Sequence, residues 1–195
     1  MTRLERLISA VFTELATSKL KGALVGGLAI SARTEPRFTR DLDVAVAVPD
    51  DAAAERAVRA FAAAGYRPLA IVEHEDAKRL ATVRLTAAGE ETAGLVVDIL
   101  FASSGIEPEI VAAAEPISVF PDLMVSVAQV GHLIALKLLA RDDETRPQDA
   151  IDLRALKGVA TPDEIARARS AVGLIAERGF ARRRDLVAAL DALLT

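Results

Sequence analysis

Segments with the composition of β-strands lie in the first two-thirds of this 195-residue chain, and the last third has the pattern of helices. Leu42–Val48 and Leu95–Phe101 are apolar and bounded by turn residues, as strands are. From Val125 onward, apolar residues recur at helical spacing. Several strands at this spacing form a sheet rather than a helical bundle. The sequence therefore predicts an α+β fold, with a mixed β-sheet flanked by helices and followed by a C-terminal helical domain.

Further segments complete this predicted order. Apolar residues from Leu4 to Leu15 recur at helical spacing and predict an amphipathic first helix that ends before Gly22. With 52% hydrophobic residues the chain can bury one core. We expect a catalytic domain at residues 1–121 and a helical domain at 122–195. The other predicted strands are Ala23–Val25, Tyr66–Val72 and Ala81–Leu85, the other helices start at Leu28 or span Ala52–Ala64, Val125–Ala140, Pro147–Leu156, Pro162–Glu177 and Arg182–Leu194, and Ile117–Phe120 is mixed.

Composition excludes several kinds of site. The chain contains no cysteine, which rules out disulfides, thiolate zinc sites and a cysteine nucleophile. Charged residues interrupt the first 21 positions, so we expect no signal peptide and no membrane span, but a soluble cytoplasmic protein. The net charge of −4 provides no global attraction to nucleic acid.

Two aspartates stand two positions apart at the start of a predicted strand. Successive strand residues point to opposite faces, so the side chains of Asp41 and Asp43 share a face. Two carboxylates held this close oppose each other's ionisation unless a cation lies between them. Oxygen ligands of this kind suit magnesium or manganese. Alternatively, the pair is a turn or a polar strand end.

A third aspartate interrupts an apolar strand. Asp98 lies within Gly94–Phe101, where an unpaired charge costs several kcal/mol. If this strand lies beside that of Asp41 and Asp43, the three carboxylates can hold two divalent ions roughly 3.5–4 Å apart, as in-line displacement at phosphorus requires. Alternatively, Asp98 is a buried acid bonded to the backbone or to an arginine.

A glycine pair, Gly26-Gly27, separates a short predicted strand from a helix. Without Cβ atoms, this backbone lets a phosphate approach the amides at the helix start. A plain turn is the alternative, and the sequence contains neither a Rossmann fingerprint nor a P-loop.

The run Leu24–Ala29 followed by Arg37-x-Thr39-x-Asp41-x-Asp43 resembles the signature of the DNA polymerase β-like nucleotidyltransferases, in the form found in AbiEii/MenT-type toxins. The resemblance implies that Gly26 and Gly27 contact a nucleoside triphosphate, that Asp41 and Asp43 bind metal, and that Asp98 is the third carboxylate. Arg37 and Thr39 belong to the same motif and are implied to bind nucleotide.

The helical third contains a second match. His132–Ala140 followed by Arg146–Leu153 is similar to the lysine helix and the Asp-x-x-Asp-Leu helix of the same toxins. Lys137 is then implied to bind the triphosphate, and Asp149 or Asp152 to orient the lysine or the substrate. The alternative is a lysine that reaches solvent and two surface acids. Gln148 departs from the family, since many relatives carry a basic residue there.

Other polar residues leave alternatives open. Arg33, Arg37 and Arg40 flank the acidic pair and either hold phosphate or acceptor, or balance the aspartates. The run Arg182-Arg183-Arg184 either contacts an RNA backbone or is a solvated face. His74 and His132 form no recognisable metal motif, and we expect His132 to pack or cap its helix.

The resemblance implies transfer of a nucleoside monophosphate (NMP) from a nucleoside triphosphate (NTP) to a hydroxyl, with release of pyrophosphate. For this family the implied acceptor is the 3′ end of tRNA, and the implied partner is an antitoxin protein. Alternatives are a small-molecule acceptor such as an antibiotic, a protein side chain, or a non-catalytic module that binds nucleotide or a partner.

Overall fold

The structure is a computed structural model that describes residues 1–37, 39, 41–87, 94–142 and 147–195. Its strands are β1 (Gly22–Val25), β2 (Asp41–Val46), β3 (Tyr66–His74), β4 (Arg79–Ala87), β5 (Val96–Leu100), β6 (Glu115–Phe120) and β7 (Leu123–Val127). Its helices are α1 (Arg3–Thr17), α2 (Gly26–Arg33), α3 (Asp51–Ala63), α4 (Glu107–Ala113), α5 (Val130–Ala140), α6 (Pro147–Val159), α7 (Pro162–Glu177) and α8 (Leu186–Leu194).

The seven strands form one mixed sheet in the order β3-β4-β5-β2-β1-β7-β6. β2 is parallel to β5 and antiparallel to β1, while β4 is antiparallel to β5. The predicted α+β fold is confirmed. Because β2 and β5 are neighbours, their polar side chains are brought to the centre of the sheet.

Helix α5 is the apolar centre of the C-terminal part. Its residues Leu133, Ile134 and Leu138 are buried within the hydrophobic core that also contains the sheet residues. Lys137 is the only charged residue within its span. A cation in so apolar a helix is costly to bury unless a carboxylate pairs with it.

The prediction is wrong at the start of α5. Residues 125–127 belong to β7, which pairs antiparallel with β6 and parallel with β1. The Leu123–Val127 run is short and apolar, so its own pattern does not distinguish strand from helix, and pairing with β1 decides the outcome. Helix α4 was not predicted. The division at residue 121 stays a prediction, and β7 lies beyond it within the sheet.

The last helix also begins later than predicted. α8 starts at Leu186, and the Asp185 side chain caps it by accepting a hydrogen bond from the Ala188 amide at 2.9 Å. Arg182 and Arg183, predicted as its first residues, form a turn with φ angles of 51° and 60°.

Candidate active site

The three predicted metal ligands project from one face of the sheet. Asp43 and Asp98 are register partners on the parallel strands β2 and β5. Paired residues on neighbouring strands point to the same side, and Asp41 is two positions from Asp43. The topology thus brings together three carboxylates from two distant parts of the sequence. We call Asp41, Asp43 and Asp98 the sheet aspartates.

Asp98 is bonded to an arginine that the sequence analysis missed. Arg84 on β4 donates from Nε to Oδ1 of Asp98 at 2.8 Å and from Nη2 to Oδ2 at 2.6 Å. The two residues are cross-strand partners, so the arginine reading of Asp98 holds alongside its place among the sheet aspartates. The only sequence signal was an arginine inside an apolar strand. Its pairing with Asp98 depends on the register between β4 and β5, which the local sequence does not reveal.

Burial and two neighbouring carboxylates raise the free energy of the charged form of Asp43. Burial raises the pKa of Asp43 to about 7, with further increases from Asp98 and Asp41 and partial opposition from Lys137 and Arg84. Its charged form is therefore disfavoured in the protein alone. Among the described residues, no group of three or more His, Cys, Asp or Glu side chains is arranged as a metal site as it stands.

The glycine turn lies directly against Asp43. Gly26 begins α2 with a φ of +65°, and a Cβ atom built on it would lie 2.0 Å from Oδ2 of Asp43. A Cβ on Gly27 would lie 2.7 Å from Nη2 of Arg37 and 3.2 Å from Oγ1 of Thr39. Glycine is therefore required at Gly26, while at Gly27 it leaves room for the present positions of Arg37 and Thr39. The structure thus brings together four of the five residues implied to bind nucleotide, and Lys137 is the fifth.

A second polar cluster joins α5 to α6. Lys137 Nζ lies 2.6 Å from Oδ1 of Asp149 and 2.9 Å from Oδ2 of Asp152. Arg37 Nη2 also donates to Oδ2 of Asp152 at 2.9 Å, and Gln148 donates to Oδ1 at 3.0 Å. We call Asp149 and Asp152 the helix aspartates. Their side chains are 5% and 2% exposed, so the surface-acid alternative is wrong.

Asp152 is stabilised in its charged form. Burial by itself would raise the pKa of Asp152, but hydrogen bonds from Gln148 and Lys137 and the charges of Lys137 and Arg37 outweigh it and lower that pKa. The neutral Gln148 makes a direct contact with Asp152 without supplying a charge. Both Asp149 and Asp152 therefore contact Lys137, whereas the sequence had left the choice between them open.

Two cavities meet at Gly27, Asp43 and Lys137. The inner cavity, about 240 Å³, extends between the sheet and α5 and is otherwise lined mainly by aliphatic side chains, with Ser103 and Arg182 among the polar ones. The outer cavity, about 400 Å³, is lined by polar residues that include Arg37, Thr39, Asp41, Gln148 and Asp149. A larger opening of about 590 Å³ beside His132 contains none of the predicted site residues.

Arg33 and His132 have structural contacts. Arg33 is bonded to the carbonyls of Val127 and Ala128. Arg40 and Arg146 lie outside the described residues. The expectation that His132 packs on its helix is confirmed, because the residue is 5% exposed. Burial, with a contribution from Arg167, lowers its pKa to about 4.

The other histidine also has a structural role. His74 Nδ1 accepts a hydrogen bond from the Ala77 amide at 3.2 Å. Its ring packs on that of Phe180, with centroids 4.5 Å apart. Within the part of the chain that the structure describes, no helix is both long and apolar enough to cross a membrane.

Comparison with solved structures shows which kind of fold the chain has. The fold is similar to that of an antigenic nucleotidyltransferase-like protein from Paracoccidioides brasiliensis, with a TM-score of 0.53 at 16% identity over 97% of this chain and 92% of that one. It is also similar to ANT(2″)-Ia in complex with adenylyl-2″-tobramycin, with a TM-score of 0.50 at 18% identity over 100% of both chains. No curated protein matches in sequence. The fold is that of a nucleotidyltransferase.

The family follows from the sequence profile that matches almost the whole chain. The profile described as "Nucleotidyl transferase AbiEii toxin, Type IV TA system" covers residues 9–193. The chain belongs to this AbiEii family, and it is an NMP-transferring enzyme. The resemblance inferred from the glycine and aspartate motifs is confirmed.

Proposed function

We propose that this enzyme transfers NMP to the 3′ end of tRNA, using divalent metal ions bound by Asp41, Asp43 and Asp98. The observation that carries the proposal is the register of Asp43 with Asp98 on parallel strands, beside Gly26, where a Cβ atom would clash with Asp43. In the reaction, the acceptor hydroxyl oxygen forms a bond to the α-phosphorus. The bond from that phosphorus to the β-phosphate oxygen breaks, pyrophosphate leaves, and the hydroxyl loses its proton.

The sheet aspartates suit magnesium or manganese by their donor chemistry. All three offer carboxylate oxygens, which these ions prefer, and the raised pKa of Asp43 reflects a buried carboxylate near two others. Asp98 would turn at least one oxygen from Arg84 toward the ion. When bound, the ions would lower the pKa of the attacking hydroxyl and neutralise charge on the departing pyrophosphate.

Other residues would hold the triphosphate in position. Gly26 and Gly27 leave space at the N-terminal end of α2, where backbone amides favour phosphate. Lys137 would contribute a positive charge from the opposite wall, since it lines both cavities. Asp149 and Asp152 fix its position through contacts of 2.6 and 2.9 Å. Correct positioning accounts for much of the rate in such reactions.

The antitoxin partner is proposed because the family is described as a type IV toxin–antitoxin system. The tRNA acceptor is proposed from the resemblance to AbiEii/MenT-type toxins. A tRNA acceptor and an NTP donor make the cytoplasm the compartment that we propose. A small-molecule acceptor is the second candidate, because a structurally similar enzyme was solved with adenylylated tobramycin.

Labelled transfer separates these acceptors. Purified protein with magnesium and each α-labelled NTP is incubated with total tRNA, with a set of aminoglycosides, or with a protein extract. We expect label at the tRNA 3′ end, with stoichiometric release of pyrophosphate. Label that appears only on an aminoglycoside or on protein would remove the tRNA assignment, and absence of pyrophosphate release from every pool would overturn the proposed reaction.

The toxin assignment has its own test in cells. We expect expression of the chain to arrest growth and Asp41→Ala to abolish the arrest, because the variant loses a proposed metal ligand. Asp122→Ala is the matched control, since Asp122 is exposed in the turn between β6 and β7. Arrest that survives Asp41→Ala would separate toxicity from NMP transfer.

A further inference from the structure

The turn between α7 and α8 reaches the inner cavity from the C-terminal part of the chain. Arg182 and Arg183 both have positive φ angles in this turn, a backbone conformation that residues other than glycine rarely adopt. Backbone of this kind persists where the surroundings hold it in place, and it is frequent at functional sites.

Contacts of the residues just before Arg182 hold the turn against the sheet-bearing part of the molecule. Phe180 packs on His74 and lies so close to Gly105 that a Cβ there would be 2.5 Å from its ring. Arg178 pairs with Glu109 at 2.6 Å. The turn is therefore attached to the part of the molecule that carries the sheet aspartates, and Arg182 has a fixed position.

Arg182 lines the inner cavity together with Gly26, Asp43 and Lys137. Its Nη2 donates to the Ser103 carbonyl oxygen at 3.1 Å and to the Ser103 hydroxyl at 3.4 Å. Both acceptors are neutral, so they orient the guanidinium without neutralising it.

The other cations at the site already have carboxylate partners. Arg84 is paired with Asp98, and Lys137 with both helix aspartates. Arg37 is paired with Asp152. Arg182, by contrast, forms no ion pair with an acidic side chain in the described part of the chain. An anionic ligand in the inner cavity can therefore bind Arg182 without first breaking an ion pair.

We propose that Arg182 binds a phosphate group of the nucleoside triphosphate in the inner cavity. This inference rests on the proposed function, since it assigns a binding residue to the same nucleotide site. A guanidinium suits the role because it offers parallel donors to phosphate oxygens and stays charged when partly buried. The amides that follow Gly26 lie at the same cavity and also favour phosphate.

Arg183 provides a matched control. It has the same side chain and a similar φ angle. Both arginines line an outer opening together with Glu73, Glu75 and Asp76, but Arg182 also lines the inner cavity and Arg183 does not. If the positive charges in this turn acted only through the long-range electrostatic field, removal of either arginine would weaken ligand binding equally. A direct contact with phosphate affects Arg182 alone.

The test is calorimetric titration of magnesium tripolyphosphate and of non-hydrolysable analogues of the four NTPs into wild type, Arg182→Gln and Arg183→Gln. We expect Arg182→Gln to weaken binding of tripolyphosphate and of the preferred NTP analogue roughly ten-fold or more, as loss of a charged hydrogen bond does. Arg183→Gln should stay within about two-fold of wild type, because Arg183 does not line the inner cavity. Thermal melting checks that each variant is folded.

Each other outcome has a defined meaning. If Arg182→Gln is unfolded, Arg182→Asn replaces it, since asparagine tolerates a positive φ. Unchanged binding of both ligands by the folded variant overturns the inference. Weaker binding of the NTP analogue with unchanged binding of tripolyphosphate also overturns it, because the contact is then to the nucleoside. If wild type binds no NTP analogue, the proposed function itself fails.

Discussion

The sheet aspartates and the helix aspartates are neighbours, yet their surroundings have opposite effects. Asp43 lies beside two other carboxylates and its pKa is raised to about 7, whereas the pKa of Asp152 is lowered by Gln148, Lys137 and Arg37 in spite of burial. The helix group is neutralised by the protein's own cations. The sheet group retains excess negative charge, which a bound cation would balance. The helix aspartates are thus suited to fixing Lys137 in position, and the sheet aspartates to binding a cation.

The largest expected effect comes from the sheet group. We expect Asp43→Asn to lower NMP transfer by roughly 1,000-fold or more, because several kcal/mol of metal-dependent stabilisation of the transition state are lost. Steady-state rates with the preferred NTP measure the change. Unfolding in urea should show that the variant is no less stable than wild type, since a strained charge is removed.

A matched substitution at another aspartate checks that the loss of activity is specific to Asp43. Asp122→Asn changes the same side chain at an exposed turn and should retain full activity. If Asp43→Asn kept more than a tenth of the wild-type rate, the sheet group would not be the metal site.

The helix group should respond in the opposite way, through stability. We expect Lys137→Met to lower the free energy of unfolding by about 3 kcal/mol, because it removes the cation paired with buried Asp149 and leaves buried Asp152 with Arg37 as its cation. Urea denaturation measures this. Lys157→Met is the control, since Lys157 is exposed in the last turn of α6. A cost as small as that of Lys157→Met would mean that the cluster contributes nothing to stability.

Metal should distinguish the two groups directly. Magnesium or manganese at 100 times its Kd should stabilise wild type by about 2.7 kcal/mol, since it binds only the folded protein. The shift should disappear in Asp98→Asn and persist in Asp149→Asn, as read by thermal melting with and without the ion. Equal loss in both variants would contradict the separation of the groups.

The sequence predicted the sheet aspartates because their signal is local. The spacing of Asp41 and Asp43, the single acid in an apolar strand at Asp98 and the glycine pair each carry a physical reason within a few residues. Only their convergence required the fold, and the pairing of β2 with β5 provides it.

What the sequence missed depends on non-local contacts. Arg84 matters because it is the register partner of Asp98, and a single strand does not reveal its register. Residues 125–127 became strand rather than helix because β1 and β6 offered partners. Arg182 was predicted as the first residue of a helix. In the fold, Phe180 packs against Gly105 and holds the turn in place, and Arg182 lines the inner cavity.

The smallest expected effect is the pH dependence of the helix group. The pKa of Asp152 is lower in the folded protein than in the unfolded chain, so its stabilising contribution is present above the unfolded pKa of about 3.9 and is lost as pH falls through the folded value. The groups facing it are Lys137, Arg37, Gln148 and Asp149. Of these, the two cations keep their charge throughout the acid range, so the carboxylates account for the change. Urea denaturation between about pH 5 and pH 3 should therefore show a shallower loss of stability in Asp152→Asn than in wild type, and parallel curves would mean that Asp152 is not held in its charged form.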